Sequence, residues 1–106
     1  MAININSIYR GNQLKKDEAI ELDQQIGRLE DDIRKLKIEF DIYFNGASKR
    51  PPLETKARID SFVRRLSDNR AMNYAQRYQF NTLVARFTSL RELWRRQLKA
   101  KGEDLA

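Results

Sequence analysis

An unbroken run of apolar residues at alternating spacings of three and four is the strongest constraint on how this 106-residue chain folds. The run extends from Ala19 to Tyr43 and keeps a heptad register throughout. It predicts a helix over residues 17–44, about 42 Å long, whose apolar stripe must pack against other helices. The stripe consists of Ala19, Leu22, Ile26, Leu29, Ile33, Leu36, Phe40 and Tyr43.

A second, shorter helix is predicted after a loop. Asn45-Gly46 favours a helix end because both residues tolerate left-handed backbone angles. Pro51-Pro52 can open the next helix, which we place over residues 53–66. Its apolar face consists of Ile59, Phe62, Val63 and Leu66.

A third helix, again long, is predicted over residues 71–101. Ser67-Asp68-Asn69 supplies the cap and turn chemistry before it, and Gly102 follows its last turn. Its apolar residues lie within one arc of the helical wheel. They are Met72, Phe80, Leu83, Phe87, Leu90, Trp94 and Leu98.

Two long helices joined by a short one predict an all-α fold. We expect an antiparallel hairpin of the long helices with the shorter middle helix packed across one end. Residues 1–12 lack a clear period and predict an N-terminal arm, which leaves residues 13–106 as a single helical domain. The expected core contacts are made by Phe40, Tyr43, Phe62, Leu66, Phe80, Leu83 and Phe87.

The heptad stripe leaves the oligomeric state open. It suits an intramolecular core, and it also suits an antiparallel homodimer, so we expect a monomer or a homodimer. Three further apolar residues widen the stripe near the end of the first helix and are expected to enter a fuller core. They are Ile38, Ile42 and Phe44.

The composition argues against catalysis. The chain has no cysteine and no histidine, which removes the usual thiolate and imidazole chemistry. Its four glycines are isolated, so no glycine-rich phosphate loop is present. Asp31 and Asp32 are consecutive and point about 100° apart on a helix, so they cannot form a catalytic dyad. We therefore expect a non-enzymatic protein without metal or cofactor.

The charge distribution points to an anionic partner. The net charge is +6, with −2 in residues 1–48 and +8 in residues 49–106. Either the basic half pairs with the acidic first helix, or it faces an anionic partner. The N-terminus lacks the pattern of a signal peptide, and no apolar stretch approaches about 20 residues, so we expect a cytoplasmic protein without a membrane partner.

The third helix carries a basic stripe opposite its apolar arc. No acidic residue occurs from Arg70 to Arg91, and planar guanidinium groups suit phosphate and carboxylate. The alternative is that these arginines pair with Asp23, Glu30, Asp31 and Glu39 of the first helix. Including the loop, the second helix and the flank of the stripe, the expected binding residues are Lys49, Arg50, Arg58, Arg65, Arg70, Tyr74, Arg77, Asn81 and Arg95.

Several motifs resemble a family of short, uncharacterised bacterial helical proteins, in which the segment occurs alone or as a C-terminal domain. The most specific motif is Phe-Asn-x-Leu-x-x-Arg-Phe over residues 80–87, and the resemblance covers about residues 22–98. It implies an all-helical fold and no known activity, and it assigns no catalytic residues. Members usually have more arginine and aromatic residues where this chain has residues 74–78.

Two functions follow from these observations as hypotheses. The first is nucleic-acid binding, with RNA preferred over DNA, mainly through phosphates, because no sequence-reading motif is present. Tyr74 and Tyr78, one helical turn apart, could stack on bases. The second is a protein-interaction module that binds an acidic or other protein partner through the heptad helix, the arm or the basic face.

Overall fold

The computed structural model describes the backbone of residues 5–102 and the side chains of residues 14–102. It contains three helices, α1 (Ile5–Phe44), α2 (Leu53–Ser67) and α3 (Tyr74–Ala100). The described residues form no strand. The predicted all-α fold of three helices with a shorter middle helix is therefore confirmed.

Helix α1 begins at Ile5, twelve residues before the predicted start. Residues 5–12 of the predicted arm are thus helical, while residues 1–4 lie outside the described part. The physical reason is that no proline interrupts this segment, and the single Gly11 costs a helix only about 1 kcal/mol. The predicted end is correct, because Gly46 adopts a φ of 86° and donates its N–H to the Tyr43 carbonyl at 3.0 Å.

Helix α3 begins at Tyr74, three residues later than predicted, because Asn73 and Gln76 form a capping box. The Asn73 side chain accepts a bond from the Gln76 N–H at 2.8 Å, and the Gln76 side chain accepts one from the Asn73 N–H at 3.0 Å. Met72 therefore lies in the turn before α3, where it still packs against the core.

The two long helices run parallel, so the predicted antiparallel orientation is wrong. The amide of Gln76, near the start of α3, donates to the Ala19 carbonyl at 3.0 Å, while Phe40 stacks on Trp94 at 4.2 Å between ring centroids. Early residues of α3 thus meet early residues of α1, and late residues meet late ones. The reason is that α2, about 22 Å long, runs back along α1 rather than across its end. The topology is up-down-up.

The heptad stripe is buried within the chain. From Leu22 to Tyr43 every stripe residue is at most 3% exposed, covered by α2 and α3. The Trp94 ring also meets Phe87 edge-on, with 6.4 Å between centroids. Of the seven expected core residues, all are buried except Phe62, which is half-buried at the margin.

The apolar stripe does not widen as expected near the end of α1. Phe44 is half-buried and packs against Phe40, but Ile38 and Ile42 remain 53% and 44% exposed. At 100° per residue these isoleucines lie roughly 160–200° from Phe40 on the helical wheel. They therefore face away from the other two helices.

Candidate functional site

The predicted basic stripe on α3 is interrupted at both ends. Arg70 is exposed but lies in the turn of residues 68–73, outside α3. Arg77 is half-buried, and its guanidinium donates to the Asn69 carbonyl at 2.8 Å, so it secures this turn. Among residues 14–102, Arg70 is therefore the stripe cation at this end that makes neither a hydrogen bond nor an ion pair.

At the other end of the stripe, Arg95 is bound to Glu92 of the same helix. Two hydrogen bonds join them, at 3.1 Å and 2.7 Å. The hydrogen bond from Arg95 lowers the pKa of the Glu92 carboxyl, and the same bond raises the pKa of Arg95. Arg95 is thus partly neutralised by its own helix.

Two exposed polar or aromatic residues of the predicted site lie between these ends. Tyr74 opens α3 and is 89% exposed, and Asn81 is exposed two turns later. Lys49 and Arg50, also exposed, lie in the loop before α2. The length of α2, about 22 Å, separates that loop from the turn that carries Arg70, so the nine residues do not form one surface.

The remaining predicted residues, Arg58 and Arg65, lie in a groove between α1 and α2. The groove has a volume of about 670 Å³, and Ile59 and Phe62 contribute apolar surface to it. Arg58 donates to the Thr55 hydroxyl at 3.2 Å, and the Arg65 guanidinium lies 5.6 Å from the Phe62 ring centroid. We refer to it as the α1–α2 groove; its charged residues are Arg28, Asp32, Lys35, Glu39, Glu54, Arg58 and Arg65.

The antiparallel course of α1 and α2 orders these charges along the groove. Late residues of α2 lie beside early residues of α1, so Arg65 and Arg28 share the end next to the 68–73 turn. Glu54 and Glu39 share the opposite end, and Asp32, Lys35 and Arg58 lie between the two ends. The groove therefore has one basic end, formed by Arg28 and Arg65, and one acidic end.

No ion pair within 4 Å engages the four groove cations among residues 14–102. The acids of α1 expected to pair with later arginines are engaged elsewhere or unpaired. Glu30 and Asp31 bind Arg34 of their own helix. Asp23 accepts a bond from the Gln76 amide at 2.8 Å. Among the described residues, the acids of α1 therefore do not neutralise the basic residues of α2 and α3.

The sequence prediction missed Arg28 and Lys35. They are seven residues apart, as are Arg58 and Arg65, and a separation of seven places two residues on the same helical face. This signal was present in the sequence, but both residues lie in the acidic half of the chain. Only the packing of α2 along α1 brings the two pairs together.

Comparison with protein-family models, with curated proteins and with solved structures finds no match to this chain. The resemblance to a family of short bacterial helical proteins therefore stays a prediction. Within the described residues, no helix contains a segment long and apolar enough to cross a bilayer. The same part of the chain contains no cluster of three acidic side chains suited to a metal ion.

Proposed function

We propose that this protein binds nucleic acid, with single-stranded RNA preferred, through its phosphates. The observation that carries the proposal is the set of four cations in the α1–α2 groove that form no ion pair within 4 Å among residues 14–102. Cations that line one groove repel each other, and a bound phosphate relieves that repulsion through charge-assisted hydrogen bonds. The net charge of +6 further raises the local concentration of a polyanion.

The order of charges along the groove gives the binding site a direction. The acidic end, with Glu39 and Glu54, repels phosphate, so a bound strand occupies the basic end. From Arg28 and Arg65 the strand can continue to Arg70 in the adjacent turn. Arginine provides several donors to phosphate oxygens at each of these three positions.

The test is binding of a fluorescent single-stranded RNA by anisotropy across a salt series. The variant Arg28→Gln with Arg65→Gln removes the basic end, and we expect weaker binding and a flatter dependence on salt. If each arginine contacts one phosphate, the slope of log K against log salt falls by about 1.4. The absence of wild-type binding to RNA or DNA at about 50 mM salt would overturn the proposal.

A matched control removes the same charge elsewhere. Arg34 and Arg95 are exposed and paired with acids of their own helices. The variant Arg34→Gln with Arg95→Gln therefore has the same net charge as the groove variant. Equal loss of affinity in both would show that only total charge matters, and the groove would lose its role.

A protein-interaction role is the second candidate, and the exposed Ile38 and Ile42 favour it. The two isoleucines, one turn apart and facing away from the core, form a small exposed apolar patch that another protein can bury. The heptad stripe itself is buried and cannot serve that role. A pull-down with and without nuclease, repeated with Ile38→Gln and Ile42→Gln, separates the two functions. Partners that survive nuclease and are lost in the isoleucine variant favour this second function.

A further inference from the structure

Two tyrosines on the first turns of α3 have side chains that are largely exposed to solvent. Tyr74 is 89% exposed and Tyr78 is 70% exposed. They are four residues apart, so their rings project from neighbouring turns of the same outer face. Because burial of an aromatic ring stabilises a protein, such exposed rings are candidates for contact with a partner.

The charges around the tyrosine pair favour an anionic partner. Arg70 is exposed in the preceding turn, and the Arg77 guanidinium is held at this turn by its bond to the Asn69 carbonyl. The N-terminus of α3 adds the positive end of a helix dipole. Asp68 is the one acidic residue of the 68–73 turn, and the sequence contains no further acidic residue before Glu92.

We propose that Tyr74 and Tyr78 form a stacking platform that holds a base of a single-stranded nucleic acid. This inference rests on the proposed function and specifies its ligand. A partner that is both anionic and rich in flat π faces matches the two properties of this surface, and a nucleic acid with unpaired bases has both.

Two residues one helical turn apart have a spacing that is compatible with one base between their rings. The Cβ atoms of residues one turn apart on a helix are about 5–6 Å apart, and the side chains diverge outward. A base stacked on both faces needs about 6.8 Å between the rings, twice the stacking distance of about 3.4 Å in a nucleic acid. A duplex cannot occupy this platform, because its bases are already stacked on each other.

The location also matches the path of the strand. The basic end of the α1–α2 groove adjoins the 68–73 turn, and Tyr74 directly follows that turn. A strand whose phosphates are held at Arg28, Arg65 and Arg70 passes along this turn, and its following nucleotides can then reach the outer face of α3 that carries the tyrosines. Single-strand selectivity arises at the tyrosines, while the groove binds the backbone of any strand.

The experiment compares three ligands of equal length: a single-stranded RNA, an abasic strand with the same number of phosphates, and the RNA duplex. We expect the wild-type protein to bind the single strand roughly 5- to 150-fold more tightly than the abasic strand for one stacked base. The variant Tyr74→Leu with Tyr78→Leu should bind the single strand no better than the abasic one. Its affinity for the abasic strand should equal that of the wild type.

Tyr74→Phe with Tyr78→Phe is the matched control, because phenylalanine keeps the ring and should keep the preference. A fluorescent base analogue whose emission is quenched by stacking should lose quenching in the leucine variant alone. Equal affinity of the leucine variant and the wild type for the single strand would overturn the stacking platform. So would equal wild-type affinity for the intact and abasic strands, and that result would leave the phosphate-binding function intact. Failure of the wild type to bind any of the three ligands would overturn both proposals.

Discussion

The contact between Gln76 and α1 offers a direct test of the parallel arrangement. Gln76 is 4% exposed and is the one polar side chain among the buried residues of the described core. Its amide nitrogen donates to the Ala19 carbonyl at 3.0 Å and to the Asp23 carboxylate at 2.8 Å. Replacing Gln76 with glutamate keeps the size of the side chain but turns the donor into an acceptor.

We expect Gln76→Glu to lower the free energy of unfolding by about 2–5 kcal/mol at pH 7. Loss of the donor, which leaves two acceptors without their partner, accounts for about 1–3 kcal/mol. Repulsion from Asp23 adds to this; two unit charges 4 Å apart interact by about 4 kcal/mol at an effective dielectric constant of 20. Since Asp23 is exposed, solvent screening reduces that repulsion to about 1–2 kcal/mol.

The defect should depend on pH with a definite sign. Burial and the neighbouring Asp23 both raise the pKa of the introduced carboxyl above about 4.3, the value for glutamate in an unfolded chain. Between the pKa of this carboxyl in the unfolded chain and its higher pKa in the native state, the native state binds more protons than the unfolded state. The free energy of unfolding of the variant therefore falls as pH rises through this range. The variant should therefore approach wild-type stability below about pH 4 and be weakest near neutrality.

Urea unfolding followed by circular dichroism at several pH values measures the effect. Gln79→Glu is the control, because it adds the same charge to an exposed position of α3 and should change stability by no more than about 0.5 kcal/mol. Adding Asp23→Asn to Gln76→Glu should restore stability, since the asparagine amide can donate to the new carboxylate. If Asp23→Asn gives no rescue, the two residues are not in contact and the parallel packing of α1 and α3 is wrong.

Three further substitutions test other parts of the structure by urea unfolding. Gly27→Ala should stabilise the protein by about 0.5–1 kcal/mol because the added Cβ meets nothing within 4 Å. Gly46→Ala should instead cost about 1–2 kcal/mol because its φ is 86°, and changes of the same sign in both variants would contradict the end of α1 at Gly46. Arg77→Ala should cost about 1–3 kcal/mol through its lost turn contact, and Arg70→Ala almost nothing; equal effects would show that Arg77 does not secure the turn. Phe87→Ala should cost about 3–5 kcal/mol, and a loss under about 1 kcal/mol would mean that the ring is not buried.

The candidate site was only partly predictable from the sequence. The i,i+7 spacing of Arg58 and Arg65 predicts a shared flank of α2, and both do line the groove. The involvement of Arg28 and Lys35 was not predictable without the position of α2 along α1. The engagement of Arg77 by the Asn69 carbonyl likewise depends on the path of the turn, which composition does not reveal.

The order of residues along the chain was enough to predict three helices, the end of α1 and the apolar stripe that each helix buries. Helix ends and apolar stripes arise from interactions within a few residues, so Gly46, the stripe from Leu22 to Tyr43 and the arc around Phe87 were all predictable. The direction of α3 relative to α1 was not predictable in this way, because it depends on contacts between residues far apart in the chain. A stripe with spacings of three and four looks the same read from either end, so it packs equally well against a parallel or an antiparallel neighbour. The specific contacts of Gln76 and Trp94 with α1, formed once α2 turns back along it, distinguish the two.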